Sequence, residues 1–528
     1  MVFYKDGKKQ NWLLPPNIKD IIDDDHICHI VDAVIDSMDF SEIEKKHEGP
    51  GHPGYHPKIL LKIIIMGMID SIRTSRKLKK NAKENVVYMY LAGKSKPDFR
   101  TISDFRKNNP ELIETCFKAV IEYAKNLGMV HLGHISIDGT KIKANASNER
   151  SLTKDELRFL DKIIRTEIQK GIEADELEDE IYGEDKDGYE LPDEVKASGN
   201  IKKYLKDKLK EQGIKPKHER RMEVIIKEHI EGDDQKKKQI NKKIEDALEE
   251  AENSNAKTAN LTDPDSKFML NKKGRIEQSY NGQIAVDSKH KLILATNISQ
   301  APDDINELQP IIELIETNIG ELPEGTEISL DNGYYSGPNL EYLEDKKLKG
   351  YVPDVKLAQK RKGKSLKKVP FSKEDFEYDD ENDEFICPNN RKLVFGFEYI
   401  DKRRNKMTRV YCGENCRNCS YEKLCITQAK RAKKIIHADI YEGYRKRMAD
   451  KMKCNEASEK LGLRSRTVEH PFGDIKYNMG LSEFLTRGLN KVKTEFNLGC
   501  IAHNIKKIAS FIKNNNVNLK CFVETVTE

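Results

Sequence analysis

Three acids and a knot of cysteines are the residues of this chain whose types could do chemistry. Asp138 closes the polar half of an alternating stretch, His134-Ile135-Ser136-Ile137-Asp138-Gly139-Thr140-Lys141-Ile142-Lys143, the pattern of a half-buried strand. Asp331 ends Glu327-Ile328-Ser329-Leu330-Asp331, before an Asn332-Gly333 turn. Glu469 lies in Val468-Glu469-His470-Pro471-Phe472-Gly473-Asp474-Ile475-Lys476, downstream of Arg464 and Arg466. Carboxylates suit hard divalent cations. Two such ions about 4 Å apart can activate water, neutralise a phosphate and stabilise a leaving oxygen, which is what cutting a phosphodiester requires. The expectation is a pair of Mg²⁺ or Mn²⁺ ions held by Asp138, Asp331 and Glu469. Singly, each acid reads as an ordinary turn or surface residue. They are far apart in sequence, so only a fold can unite them.

Lys476 follows Glu469 by about two helical turns, so both can share a face, with the lysine on a phosphate. Pro471 is tolerated only near a helix start or at a kink, which puts Glu469 in a first turn or beside a kink. Lys141 and Lys143, just past Asp138, are candidate DNA contacts.

Five of the ten cysteines are Cys387, Cys412, Cys416, Cys419 and Cys425. Four thiolates fit tetrahedral Zn²⁺. The favoured set is Cys387, Cys416, Cys419 and Cys425, with Cys412 as the alternative ligand. Unligated or redox-active thiols are the competing reading. A zinc here would be structural, clamping a segment too polar to fold alone.

Several kinds of element must position these groups. The chain has 528 residues, which suggests roughly three or four domains. Charged residues make up 34% of it but net charge is only +4, so nucleic-acid binding has to be argued from local distribution. No apolar run of about 18 residues occurs and the first ten residues are polar, so a chain of the bacterial cytoplasm, associated with the nucleoid and not with a membrane, is expected. Residues 1–130 read as helices: Leu60, Leu61, Ile64, Ile65 and Met68 mark one face, and a second helix carries Arg76 and runs on through Leu91 to Gly93. A third begins with Asp98 or Thr101 as its N-cap and bears Arg100 and Arg106. Short helices with basic starts suit a helix-turn-helix-like DNA module, or else a plain bundle with a basic surface.

Residues 150–260 read as a charged helical hairpin inserted in a domain, with Leu157, Leu160, Ile164, Ile168 and Ile172 on one arm and Met222, Ile225, Ile226 and Ile230 on the other. Gly183 to Pro192 breaks the run. Strands resume at 278–287 and 292–297 as a hairpin. A helix with Ile305, Leu308, Ile311, Ile312 and Ile315 follows, then the Asp331 strand, a short helix and a strand at 350–353. Residues 355–430 hold a basic block (Lys356 to Lys368), an acidic block and the cysteines. Without the insert the order is strand, hairpin, helix, strand, helix, strand. That is an α/β, ribonuclease H-like mixed sheet, occupying 131–354 and 431–515, with the second insert zinc-ribbon-like.

Together these motifs resemble bacterial insertion-sequence transposases of the DDE type, the branch related to the insertion-sequence-four and -five groups. The similar segments are Ile137-Asp138-Gly139-Thr140-Lys141, Thr262-Asp263-Pro264-Asp265-Ser266, Tyr280 to Asp287, Asp331-Asn332-Gly333-Tyr334, and Val468 to Lys476. The tail from Gly488 to Asn504 and the N-terminal Tyr55-His56-Pro57 to Lys107 are also similar. The resemblance implies a catalytic triad at Asp138, Asp331 and Glu469, with Lys476 at the family's lysine spacing. The family's arginine four residues before the glutamate falls on Ser465, flanked by Arg464 and Arg466. It implies metal-dependent cleavage and strand transfer at terminal inverted repeats, on double-stranded transposon-end and target DNA, by a homodimer on DNA. The alternatives are a zinc-stabilised sequence-specific DNA-binding protein without catalysis, or a ribonuclease H-like nuclease that does not join strands.

Overall fold

The computed structural model describes residues 17–46, 54–165, 201–361, 363, 371–401, 406–414, 416, 419–426, 433–515 and 517. Ile168, Ile172, the 183–192 break and Lys362 to Lys368 of the basic block lie outside them, Gly363 excepted.

The strands that carry the acids belong to one mixed sheet. In chain order the strands of this half are β1 (His134–Lys143), β2 (Ser151–Thr153), β3 (Thr258–Asn260), β4 (Lys267–Leu270), β5 (Ile276–Asp287), β6 (Ile293–Ser299), β7 (Glu327–Ser329) and β8 (Lys349–Tyr351). The sheet order is β4-β5-β1-β7-β8, with β6 also on β5. β1 runs antiparallel to β5 and parallel to β7, and β7 runs parallel to β8. The helices Leu308–Ile319 and Gly337–Asp345 follow β6 and β7, as parallel pairing requires of its connections. The strand, hairpin, helix, strand, helix, strand order expected from the sequence is therefore present. Ile305 does not join its helix: it precedes the first turn and is exposed.

β5 is buried from Gln278 to Asp287, because both faces of the sheet are covered. The 26-residue helix Leu489–Asn514 packs on β6 and on the N-terminal helices. Gly282 on β5 leaves room for it: a Cβ there would stand 3.1 Å from the Phe496 ring.

The N-terminal helices and the sheet share one hydrophobic core running from Ile22 to Ile512. The Pro57–Ile69 helix is buried continuously from Leu60 to Met68, so it is a central helix with no solvent face. Lys62 within it donates to Asp32 and Asp36 at 2.5 and 2.7 Å. The helix expected from Arg76 to Gly93 is two helices, Ser75–Glu84 and Val86–Leu91. Asn85 turns extended between them and its side chain caps the second, accepting from the Val87 N–H at 2.9 Å. Asp98, not Thr101, caps the next helix.

The first insert is more than a hairpin. Lys154–Ile163, Ile201–Glu211, Glu219–Ile230 and Asp234–Asn253 enclose a separate core that includes Leu157, Leu160, Met222, Ile225 and Ile244. It leaves and rejoins the main sheet through the β2–β3 pair. The second insert is an antiparallel sheet of β9 (Glu377–Asp379), β10 (Glu384–Ile386), β11 (Lys392–Asp401), β12 (Lys406–Gly413) and β13 (Ile435–Ala438), in reverse chain order. Residues 435–438, expected within the ribonuclease H-like domain, are its last strand. Among the described residues no helix is long and apolar enough to cross a membrane.

His134 ties β1 to β7 under the candidate site, its Nε2 lying 2.6 Å from Ser329 Oγ. Burial lowers its pKa from 6.5 to about 4, with Lys460 adding to the fall and Glu327 opposing it. The folded protein therefore keeps this ring neutral while the unfolded chain takes up a proton below about pH 6.5. Stability from this group is full above that pH and is lost as pH falls toward 4, about 2 kcal/mol by pH 5. Urea denaturation at pH 8 and pH 5 should show His134→Gln losing about that much less than wild type. Equal losses would refute the neutral buried ring.

Candidate active site

β1 and β7 bring the two aspartates together by register. Ser136 pairs with Ser329 across the parallel strands. Asp138 and Asp331 each follow by two residues, Asp138 within β1 and Asp331 just past the end of β7, close enough for the Asp331 charge to act on the Asp138 carboxyl. Two residues on is also the same face of the sheet, the face on which His134 meets Ser329. Each acid is braced by local backbone. Asp138 Oδ1 accepts from the Gly139 N–H at 2.9 Å and Asp331 Oδ1 from the Gly333 N–H at 2.6 Å. Burial pushes the Asp138 carboxyl up to about 6; Arg464 opposes the rise and Asp331 adds to it.

The helix Asn455–Gly473 crosses this face. Its Arg464 Nη1 lies 3.1 Å from Asp138 Oδ2. That nitrogen is buried and has no aligned hydrogen-bond acceptor, so the contact is an ion pair. Beside Asp331, a cleft is lined by Asn332, Arg361, Leu461, Arg464 and Ser465. After Gly473 the chain makes a π-helical turn, Asp474–Asn478. This turn delivers Lys476 to β1, where Nζ donates to Thr140 Oγ1 at 2.6 Å and to the Lys141 carbonyl at 2.7 Å. Burial brings this ammonium down to about 8; Lys272 and Lys141 add to the fall and Asp138 opposes it.

A fourth acid, not foreseen from the sequence, sits between Gly139 of β1 and Gly333 of the turn after Asp331. Asp304 Oδ1 accepts from Asn281 Nδ2 at 2.6 Å and from Gln283 Nε2 at 2.7 Å, with Lys141 Nζ at 3.3 Å. A Cβ on Gly139 would stand 2.6 Å from Asp304 Oδ1, and one on Gly333 would stand 3.2 Å from Asp304 Oδ2. Buried Tyr334 donates to Gln283 Oε1 and completes the group. Burial raises its pKa well above 10, with Asp304, Asp138 and Asp331 adding to it. The available signal was Pro302-Asp303-Asp304 just after β6, an acid at a strand end like Asp331.

Glu469 is placed otherwise than the sequence suggested. It lies near the C-terminal end of a 19-residue helix, not in a first turn, with Pro471 inside the same helix. Its side chain is exposed. Among the described residues no group of three or more His, Cys, Asp or Glu side chains is gathered closely enough to hold a metal ion. The structure thus joins Asp138 with Asp331 and leaves Glu469 on the outer side of the helix that supplies Arg464. It does not share the inward face of Lys476, because the π-helical turn rotates the lysine onto β1.

The basic candidates divide. Arg76, Arg100 and Arg466 are exposed. Arg76 and Arg100 both lie over the Phe99 ring, at 5.4 and 5.9 Å. Lys141 and Lys143 are in ion pairs with Asp304 and Glu483. Arg106 is buried and donates to the Arg73 carbonyl at 3.0 Å. Arg73 in turn donates to the Glu483 carbonyl and to Glu495, each at 2.7 Å. Arg106 therefore braces Arg73, which holds the helical region to the C-terminal segment, and its own guanidinium is buried rather than presented to DNA. Of the cysteines, Cys387, Cys416, Cys419 and Cys425 line one pocket, and Cys412 does not.

Residues 386–509 match the family model described as transposase DDE domain, and residues 16–108 match a second, described as transposase domain. Both matches are to transposase domains. They support a transposase, and with it an enzyme that acts on DNA with divalent metal ions. The first match spans Arg464, Glu469 and Lys476 but not β1 or β7, and the second spans Arg76, Arg100 and Arg106. No curated protein and no solved structure matches the chain.

Gly139→Ala tests how tightly the Asp304 group is built. The atoms a new methyl would meet are Gln283 Nε2 at 2.5 Å and Asp304 Oδ1 at 2.6 Å, and both are tied by hydrogen bonds. Overpacking of this kind should cost about 1–3 kcal/mol in thermal or urea denaturation. Gly462→Ala, in the helix above with nothing within 4 Å, should instead be neutral or gain up to about 1 kcal/mol.

Proposed function

We propose that this chain is a DNA transposase that binds the terminal inverted repeats of an insertion sequence, cleaves there and transfers the freed strand to target DNA. The observation that carries the reading is the register of β1 with β7, which sets Asp138 and Asp331 side by side under a helix of the segment matched to a DDE domain. The ribonuclease H-like strand order and the transposase match at the N-terminal helices support it.

The donors suit a hard divalent cation. Asp138 offers carboxylate oxygens from within β1 and Asp331 from just past the end of β7, and the guanidinium that faces the buried Asp138 is not aligned to it. Asp138, Asp331 and Glu469 would hold Mg²⁺ or Mn²⁺, with Glu469 turned in from the helix end. When bound, the ions supply charge neutralisation and a nucleophilic water at the scissile phosphate. Arg464 and Arg361 flank the cleft beside Asp331 and are the groups that meet a phosphate there. Lys476 orients the Thr140–Lys141 backbone beside Asp138. Asp304 packs between Gly139 and Gly333, the glycines that follow the two aspartates. The exposed Arg76, Arg100 and Arg466 contact the DNA backbone, so affinity falls steeply with salt. Pairing two transposon ends implies a homodimer on DNA.

The decisive experiment incubates the full chain with supercoiled plasmid carrying the element's own ends, with and without Mg²⁺. Nicking should require Mg²⁺ and should fall on the order of a hundredfold or more in Asp138→Asn, Asp331→Asn and Glu469→Gln, while binding of the ends in a gel shift persists. Wild-type nicking by Glu469→Gln would remove that residue from the site. Metal-independent signals equal in wild type and Asp138→Asn would sink the enzyme reading and leave a DNA-binding protein. Cleavage without a strand-transfer product would leave a nuclease.

A further inference from the structure

We propose that Cys387, Cys416, Cys419 and Cys425 form a structural zinc site that fastens the second insert, and that Cys412 is not part of it. The proposal is independent of the reading of the acids.

The fold makes the selection among the five cysteines. Cys412 and Tyr411 are neighbours on β12, so their side chains point to opposite faces of the sheet. Tyr411 is buried in the insert's small core with Phe376, Phe385 and Leu393, and Cys387 and Cys425 pack against that same core. Cys412 therefore faces away from them, toward Gly396 on β11, where a Cβ would stand 3.6 Å from its sulfur. Cys416 has turned back: its sulfur lies 2.8 Å from where a Cβ on Gly413 would be, which leaves glycine as the residue that fits there.

The backbone around the sulfurs is arranged for thiolates. Cys387-Pro388-Asn389-Asn390-Arg391 is a tight turn in which Asn390 adopts φ +57°, and the Arg391 N–H points at Cys387 Sγ at 3.3 Å. Asn389 Nδ2 donates to Cys419 Sγ at 3.4 Å and the Lys434 N–H to Cys416 Sγ at 3.5 Å. N–H groups aimed at sulfur stabilise its charged form, as the outer shell of a metal site does. The four thiols line one pocket and none is in a disulfide. They are not yet at ligand spacing; closure to zinc–sulfur distances of about 2.3 Å is the change that metal binding would bring. The core under them is small, and a metal clamp is what a segment with so little apolar burial needs.

Metal analysis of the full chain, purified without chelator under reducing conditions, should find one zinc per chain. Cys412→Ser should keep it. Cys387→Ser and Cys419→Ser should lose it. Should those variants fail to fold, wild type answers alone: Co²⁺ should give the intense visible bands and sulfur-to-metal charge transfer of a tetrahedral four-thiolate site, and chelation should expose four further thiols to a thiol reagent. No bound metal in wild type, iron in place of zinc, or loss of zinc in Cys412→Ser would overturn the proposal.

Discussion

Asp138 is buried beside a second carboxylate, Asp331, and much of the surrounding architecture answers that burial of charge. The pairing of Ser136 with Ser329 creates the problem. Moving Asp138 away would mean breaking the register of a strand whose apolar residues, Ile135 and Ile137, are fully buried, and a one-residue slip would turn those side chains to the opposite face. The answer is positive charge brought from elsewhere. Arg464 comes from the crossing helix, Lys476 from the π-helical turn, and Lys272 from the turn after β4. None of these cancels the burial of Asp138, whose carboxyl stays raised to about 6. Such an under-compensated acid marks a place built to receive charge rather than one optimised for stability.

The β1 segment that carries Asp138 and the turn after Asp331 are coupled through a single side chain. Asp304 fits between Gly139 and Gly333 and gathers donors from Asn281, Gln283 and Lys141. Both are thereby referred to β5, which is buried from Gln278 to Asp287. The helix Leu489–Asn514 then locks that sheet against the N-terminal helices, and Arg73, braced by Arg106, closes the joint with hydrogen bonds to the C-terminal segment. The region carrying the exposed Arg76 and Arg100 is thus rigidly connected to the acids through one core. The inserts stand apart from that core and keep their own.

Much of this was legible in the residues. Alternation marked β1, three- and four-residue apolar steps marked the helices, and the succession of elements implied the sheet. The four cysteines that the spacing favoured line one pocket but are not at ligand spacing. What was misread has physical causes. The break at Asn85 is a local cap overriding helical periodicity. The first insert looked like a hairpin because its charged faces hid how many helices share its core. Pro471 suggested a helix start, but it lies inside the helix, close to its end. Arg106 looked like a surface cation because a helix pattern does not say which face meets another domain.

The sequence by itself determined which elements form and which residues could do chemistry, because backbone periodicity and side-chain type are local properties. It put Asp331 at a strand end and Glu469 on a helix, whereas Asp138, expected at a strand end before a turn, lies within β1, which continues to Lys143. Only the tertiary structure decided which of them meet. Strand register set the two aspartates near each other, the π-helical turn drew Lys476 inward, and the same helix left Glu469 facing out. It also brought in Asp304, whose position depends on where the β6 strand end lies against β1 and β7. Those outcomes follow from packing between segments far apart in the chain, which no local pattern encodes.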